Sequence, residues 1–204
     1  LKSELGKEAA YLPAVLIRKR IYDGKRFSAH ERKRGAIEAL NEALCSGDFS
    51  AFSCVSEDVK KPKYVILLDD DSVIEPSAAA RAVAVMEHPA NGYELLNFIN
   101  KYNLYALETP YSTKFACAAG RDTYNRAEDF YFKLSGDALF SGKGIYRLDT
   151  FREKLHGAIP ENRVLSHDIL EGAMLKTAVC PVAVYEDAPK DFFEDEQRRE
   201  RWTR

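Results

Sequence analysis

The chain has 204 residues, 46% of them hydrophobic, and its 30 basic and 32 acidic residues leave a formal charge of −2. That length supports one substantial buried core, so a single domain over residues 1–204 is expected, and the near-neutral balance excludes a generically cationic nucleic-acid binder. No apolar run approaches the ~20 residues that cross a bilayer, and no signal peptide opens the chain. Cys45, Cys54, Cys117 and Cys180 form no C-x-x-C pair, which excludes a zinc-ribbon pattern and a small disulfide scaffold and points to free thiols. Charge is uneven: eight basic residues between positions 18 and 34 stand against Asp23 and Glu31, a patch that suits an anionic ligand or plain solvent.

Residues 14–18 read as a short buried strand. Ser28 and Glu31 have capping-box spacing, predicting a helix that runs to about Ser46 and stops at Gly47. The unbroken apolar run Tyr64-Val65-Ile66-Leu67-Leu68 predicts a central parallel strand covered on both faces, and its carboxyl end delivers Asp69-Asp70-Asp71. Pro76 opens an Ala-rich helix to about Glu87. Strands are expected over residues 103–108, 144–148 and 182–185. Helices are expected over 124–134, from Asp168 to Thr177 after an N-cap at Ser166, and from about Asp191. Strands alternating with helices predict an α/β layered sheet, in which ligands sit beyond the carboxyl ends of the strands.

Four constellations carry chemistry. Asp69 and Asp71 can share Mg2+ or Mn2+ through one oxygen each, with Asp70 pointing away in an extended chain; the same cluster also suits a turn or a cap. Ser166-His167-Asp168 with Glu171 places an ionised acid at a helix start, where Asp168 can act as a general base and Glu171 can hold its geometry or a substrate hydroxyl. The alternative is simple capping, and His167 reads as a structural neighbour. Phe140-Ser141-Gly142-Lys143-Gly144 lets backbone approach a ligand with a cation at the tip, or makes a tight turn. Gln197, Arg198, Arg201 and Trp202 share a helical segment whose guanidiniums suit a pyrophosphate and whose indole suits a sugar ring; a charged surface helix with Trp202 packed inward is the bland alternative.

Strand–Asp-x-Asp, an acid at a helix start, then Q-[QR]-x-x-R-W, in that order, resembles the processive inverting glycosyltransferases of the GT-A fold. The stretches Glu31-Arg32-Lys33-Arg34-Gly35, His88-Pro89-Ala90-Asn91, Gly142-Lys143-Gly144-Ile145-Tyr146, Pro160-Glu161-Asn162 and Ser166-His167-Asp168 sharpen the likeness toward the glycosyltransferase domain of cyclic β-1,2-glucan synthases. The resemblance runs from about Arg18 to Arg204. It departs at Asp70, where the family usually has Ala, and at Gly136-Asp137-Ala138, where the family has Gly-Glu-Gly; residues 92–122 match poorly.

The resemblance implies a GT-A-like (Rossmann-like) mixed, mostly parallel sheet flanked by helices, an incomplete domain excised from a larger membrane protein. It implies a UDP-glucose donor and a glucan acceptor at the cytoplasmic face of a bacterial inner membrane, with membrane contact through flanking segments of the parent protein. Asp168 is then the catalytic base; Asp69 and Asp71 hold Mg2+ or Mn2+. Lys33, Arg34, Asp69, Asp71, Arg198 and Arg201 bind donor, and Glu171, Gln197 and Trp202 bind acceptor. Two other readings stand beside it. One is a haloacid-dehalogenase-like phosphatase with Asp69 as nucleophile, Asp71 as acid and a later site near Gly136-Asp137, although Ser141 stands where its second Asp belongs. The other is a catalytically idle scaffold.

Overall fold

The computed structural model describes residues 14–22, 24–56, 59–118, 130–161, 163–164 and 167–203. The chain divides into two compact units, Leu1–Pro62 and Lys63–Arg204. In the first, β1 (Leu16–Arg18) pairs antiparallel with β4 (Phe52–Val55), and β2 (Ile21–Tyr22) pairs antiparallel with β3 (Phe27–Ser28). Helix α1 (Arg32–Ser46) ends as expected, with Gly47 at φ 78° donating its N–H to the Ala43 carbonyl. Its start differs from the capping box. Ser28 is consumed by the β2–β3 ribbon, and Glu31 enters the helix left-handed without a side-chain cap.

The second unit is built on a five-stranded sheet in the order β5 (Tyr64–Leu67), β8 (Gly144–Arg147), β7 (Leu95–Tyr102), β9 (Thr177–Glu186), β6 (Val73–Ile74). The fold is α/β with a mixed sheet, as expected, but the expectation that the sheet is mostly parallel is corrected. Among the described residues only the β7–β9 pairing is parallel; β5–β8, β8–β7 and β9–β6 are antiparallel. The run at 64–68 is an edge strand rather than a central one. An apolar run reports cover on its faces and carries no record of its partner's direction. Here β8 starts at the sheet edge where β5 ends, so it runs back against it.

Helix α2 (Ala78–Glu87) lays Ala78, Ala82 and Met86, one per turn, over Leu96, Phe98, Ile145, Cys180, Val182 and Val184. The next β8 residue, Tyr146, faces the opposite side and stacks on Phe151 of α5 (Leu148–Leu155), with ring centroids 4.0 Å apart. Burying these side chains supplies most of the drive for this layer.

The strands differ from expectation at three places. β7 carries Asn97 and Asn100, residues depleted in strands, and no local pattern marks it. The strand expected at 103–108 is instead a 3-10 turn, Leu104–Ala106, in which the Asn103 side chain accepts from Tyr105 N. β9 is longer than the expected residues 182–185. Pro181 sits at a register shift, where Phe98 opposes Cys180 but Ile99 opposes Ala183, so the proline interrupts the ladder without ending the strand. Of the helix expected at 124–134, α4 (Phe130–Ser135) is seen; residues 119–129 and the Ser166 cap lie outside the described residues. Between β7 and α4 lies α3 (Pro110–Ala118).

Phe98 is fully buried beneath α2 and Leu104 is 80% exposed. Phe98→Ala is expected to cost about 3–5 kcal/mol and Leu104→Ala to stay within about 0.5 kcal/mol, as read by urea denaturation.

Candidate functional site

The site grows from the loop that precedes β8. Asn97, completely buried on β7, accepts two hydrogen bonds at Oδ1, from Ser141 N at 2.9 Å and Ser141 Oγ at 2.8 Å, and donates to the Phe98 carbonyl. Phe98 N in turn donates to the Lys143 carbonyl at 3.0 Å. These bonds fix residues 141–143 on the sheet. Between them Gly142 has φ +81°, and an added Cβ would lie 2.7–2.9 Å from the Asp168 carboxylate atoms. Glycine is therefore required twice at this position, for its backbone angle and for the approach of Asp168.

Lys143 is buried and turns inward, not outward as a loop tip. Its Nζ contacts Glu186 Oε1 and lies 3.2 Å from Asp69 Oδ2. Burial opposes its charge, but the Glu186 and Asp69 carboxylates outweigh that penalty and hold its pKa above that of an ordinary lysine. Asp69 follows β5 and Glu186 ends β9, so acids from two strand ends meet one cation at one end of the sheet. Glu186 escaped the sequence reading, although an acid closing the apolar run at 182–185 is the same signal that singled out Asp69.

Asp69 does not lie in extended chain. Ser72 N donates to the Asp69 carbonyl at 3.2 Å, and Asp69 N donates to Ser72 Oγ at 3.1 Å, closing a turn with Asp70 and Asp71 exposed at its tip. Strand alternation therefore does not set Asp70 apart from Asp71, and both are exposed in the turn. Turn formation and a cation-facing carboxylate coexist in the same four residues.

Asp168 opens α6 (Asp168–Met174), against Gly142. His167 is buried, with Nδ1 2.9 Å from Glu171 Oε1 and 3.6 Å from Asp168 Oδ1. Glu171 is only 2% exposed and faces His167. Ligand atoms of these three residues lie within 4.8 Å of one another, the one such gathering among the described residues. Packing of α6 is close here too, since a Cβ at Gly172 would fall 2.7 Å from Phe140 Cβ.

The terminal helix α7 (Phe192–Trp202) is capped by Asp191, which accepts from Glu194 N. It is anchored by buried Asp195, which accepts from Tyr111 Oη of α3 at 2.8 Å and pairs with Arg199 at 3.0 Å. Arg198 is half-buried and reaches the Asp187 carbonyl, next to Glu186, at 3.4 Å. Gln197 and Arg201 are exposed, and Trp202 is 60% exposed, not packed inward.

Other expected residues have partners of their own. Lys33 and Arg34 belong to α1 in the first unit, where Arg34 is buried and pairs with Glu31 at 2.5 Å and Glu38 at 3.7 Å. Asp137, named for the phosphatase reading, accepts from Thr177 N at 3.3 Å, and Ser141 is held by Asn97.

No family model matches the chain. Over an alignment of 213 residues it is 30% identical to the cyclic beta-(1,2)-glucan synthase NdvB of Rhizobium meliloti (strain 1021). The chain is related to a glucan synthase. The alignment covers 93% of this chain and 7% of NdvB, so the chain corresponds to a small part of that protein's length. Among the described residues no helix is long and apolar enough to cross a membrane.

Gly142→Ala is expected to lose about 1 kcal/mol or more of stability. A shift of the denaturation midpoint, with displacement of the Asp168 carboxylate in a crystal structure, checks this.

Proposed function

We propose that this chain is the glycosyltransferase part of a polysaccharide synthase, a GT-A-type domain that transfers glucose from UDP-glucose to a growing β-1,2-glucan with inversion. The observation that supports it best is the meeting of Asp69 and Asp168, far apart in sequence, around the Gly142-Lys143 step in a chain related to a glucan synthase.

The donor set at Asp69 and Asp71 is all carboxylate oxygen, which fits Mg2+ or Mn2+, and Asp69 already attracts a cation in Lys143. An ion bound there would neutralise the charge left on the departing diphosphate. Asp168 takes the proton of the acceptor 2-hydroxyl as that oxygen attacks the anomeric carbon. The new C–O bond forms opposite the one to UDP, which breaks with its electron pair going to the diphosphate, so configuration inverts. Arg198 and Arg201 steady that leaving group, and Trp202 with Gln197 offers a surface to the acceptor.

Glu171 fixes His167 beside Asp168, and its acceptor role rests on the resemblance. For Lys33 and Arg34 the donor role rests on the resemblance, and Arg34 has its charge answered by Glu31 and Glu38. The parent protein would carry the membrane contact and work at the cytoplasmic face.

Calorimetry should detect UDP binding that requires Mn2+ and disappears in Asp69→Asn. In the full parent enzyme, Asp168→Asn should lower transfer by at least ~10²-fold while UDP binding persists. Undiminished turnover would overturn the base assignment. Phosphate release from an aryl phosphate would favour the phosphatase reading instead.

A further inference from the structure

Lys143 is a buried cation that the transfer chemistry above leaves without a task. Its two partners differ in exposure. The Glu186 side chain is nearly as buried as that of Lys143, at 11% and 10%, whereas 33% of the Asp69 side chain is open. Water and incoming ions therefore reach the Lys143–Asp69 contact far more readily than the Lys143–Glu186 contact. The backbone beneath is held, with the Lys143 carbonyl on Phe98 N and Ser141 on Asn97. Only the flexible side-chain stem is left to move.

An ammonium and a hard divalent ion ask the same thing of Asp69, a carboxylate oxygen. They repel each other, so both do not occupy it at full strength. We propose that Lys143 is a displaceable cation. It holds Asp69 until a divalent ion arrives, gives up that carboxylate, and, still tethered to Glu186, turns its ammonium to a nucleoside diphosphate entering with the ion. This rests on the reading of Asp69 as a metal ligand given under the proposed function. It makes the ion and the diphosphate mutually dependent, because each removes a cost that the other would meet alone.

Titration of Mn2+ into the chain by calorimetry, followed by UDP at saturating Mn2+, tests this. Lys143→Met is expected to tighten Mn2+ binding about fivefold, the weight of one partly exposed ion pair, and to weaken UDP binding in the presence of Mn2+. Lys143→Arg should stay near the parent chain in both. Mn2+ binding that depends on Asp69, shown by its loss in Asp69→Asn, yet is equal or weaker in Lys143→Met, overturns the displacement and leaves the metal reading standing. No Mn2+ binding in either the parent chain or Lys143→Met removes both together. Should Lys143→Met fail to fold, Glu186→Gln decides. It leaves the ammonium to Asp69 alone and is expected to weaken Mn2+ binding by a similar factor, and an unchanged affinity overturns the inference.

Discussion

A buried ammonium has to be answered by charge, and Lys143 is answered from two strands at once. Asp69 comes from the end of β5 and Glu186 from the end of β9, so their shared cation ties the outer strand β5 to β9 deeper in the sheet. An unpaired carboxylate at the buried Glu186 would be costly, because desolvation of a lone charge exceeds what any single hydrogen bond returns. The loop carrying Lys143 cannot shift without disturbing this arrangement, and the same loop presents Gly142 to Asp168.

The edge of the sheet is thereby organised in shells. Asn97, buried and fully inside the sheet, holds the loop; the loop holds Lys143 and Gly142; these meet Asp69, Glu186 and Asp168. His167 and Glu171 brace the start of α6 behind Asp168. Lys143, Glu186 and Asn97 are buried and paired, whereas Asp70 and Asp71 stand exposed in the turn after β5.

Local signals were legible where chemistry and periodicity coincide. The Gly47 stop, the Ala-rich helix over Met86, the start of α6 at Asp168 and the Asp191-capped terminal helix all follow from near-neighbour rules and appear close to their expected places. Signals failed where a residue serves a distant partner. Asn97 is of a type depleted in strands, and its use is a hydrogen bond with Ser141, forty-four positions on. Ser28 reads as a cap because nothing local announces its pairing with Ile21. At Pro181 the parallel neighbour absorbs the missing donor by a shift in register.

By itself, the sequence determined an α/β chain with acids behind an apolar strand, an acid at a helix start, a Gly-Lys-Gly step and a terminal arginine-tryptophan helix, because those depend on side-chain type and spacing alone. Tertiary structure decided the rest. It set strand direction, put β5 at the edge, buried Lys143 between Asp69 and Glu186, and turned Glu171 inward to His167. Partner direction and charge pairing are properties of segments brought together from far apart, and no local pattern encodes which distant acid will neutralise a given lysine.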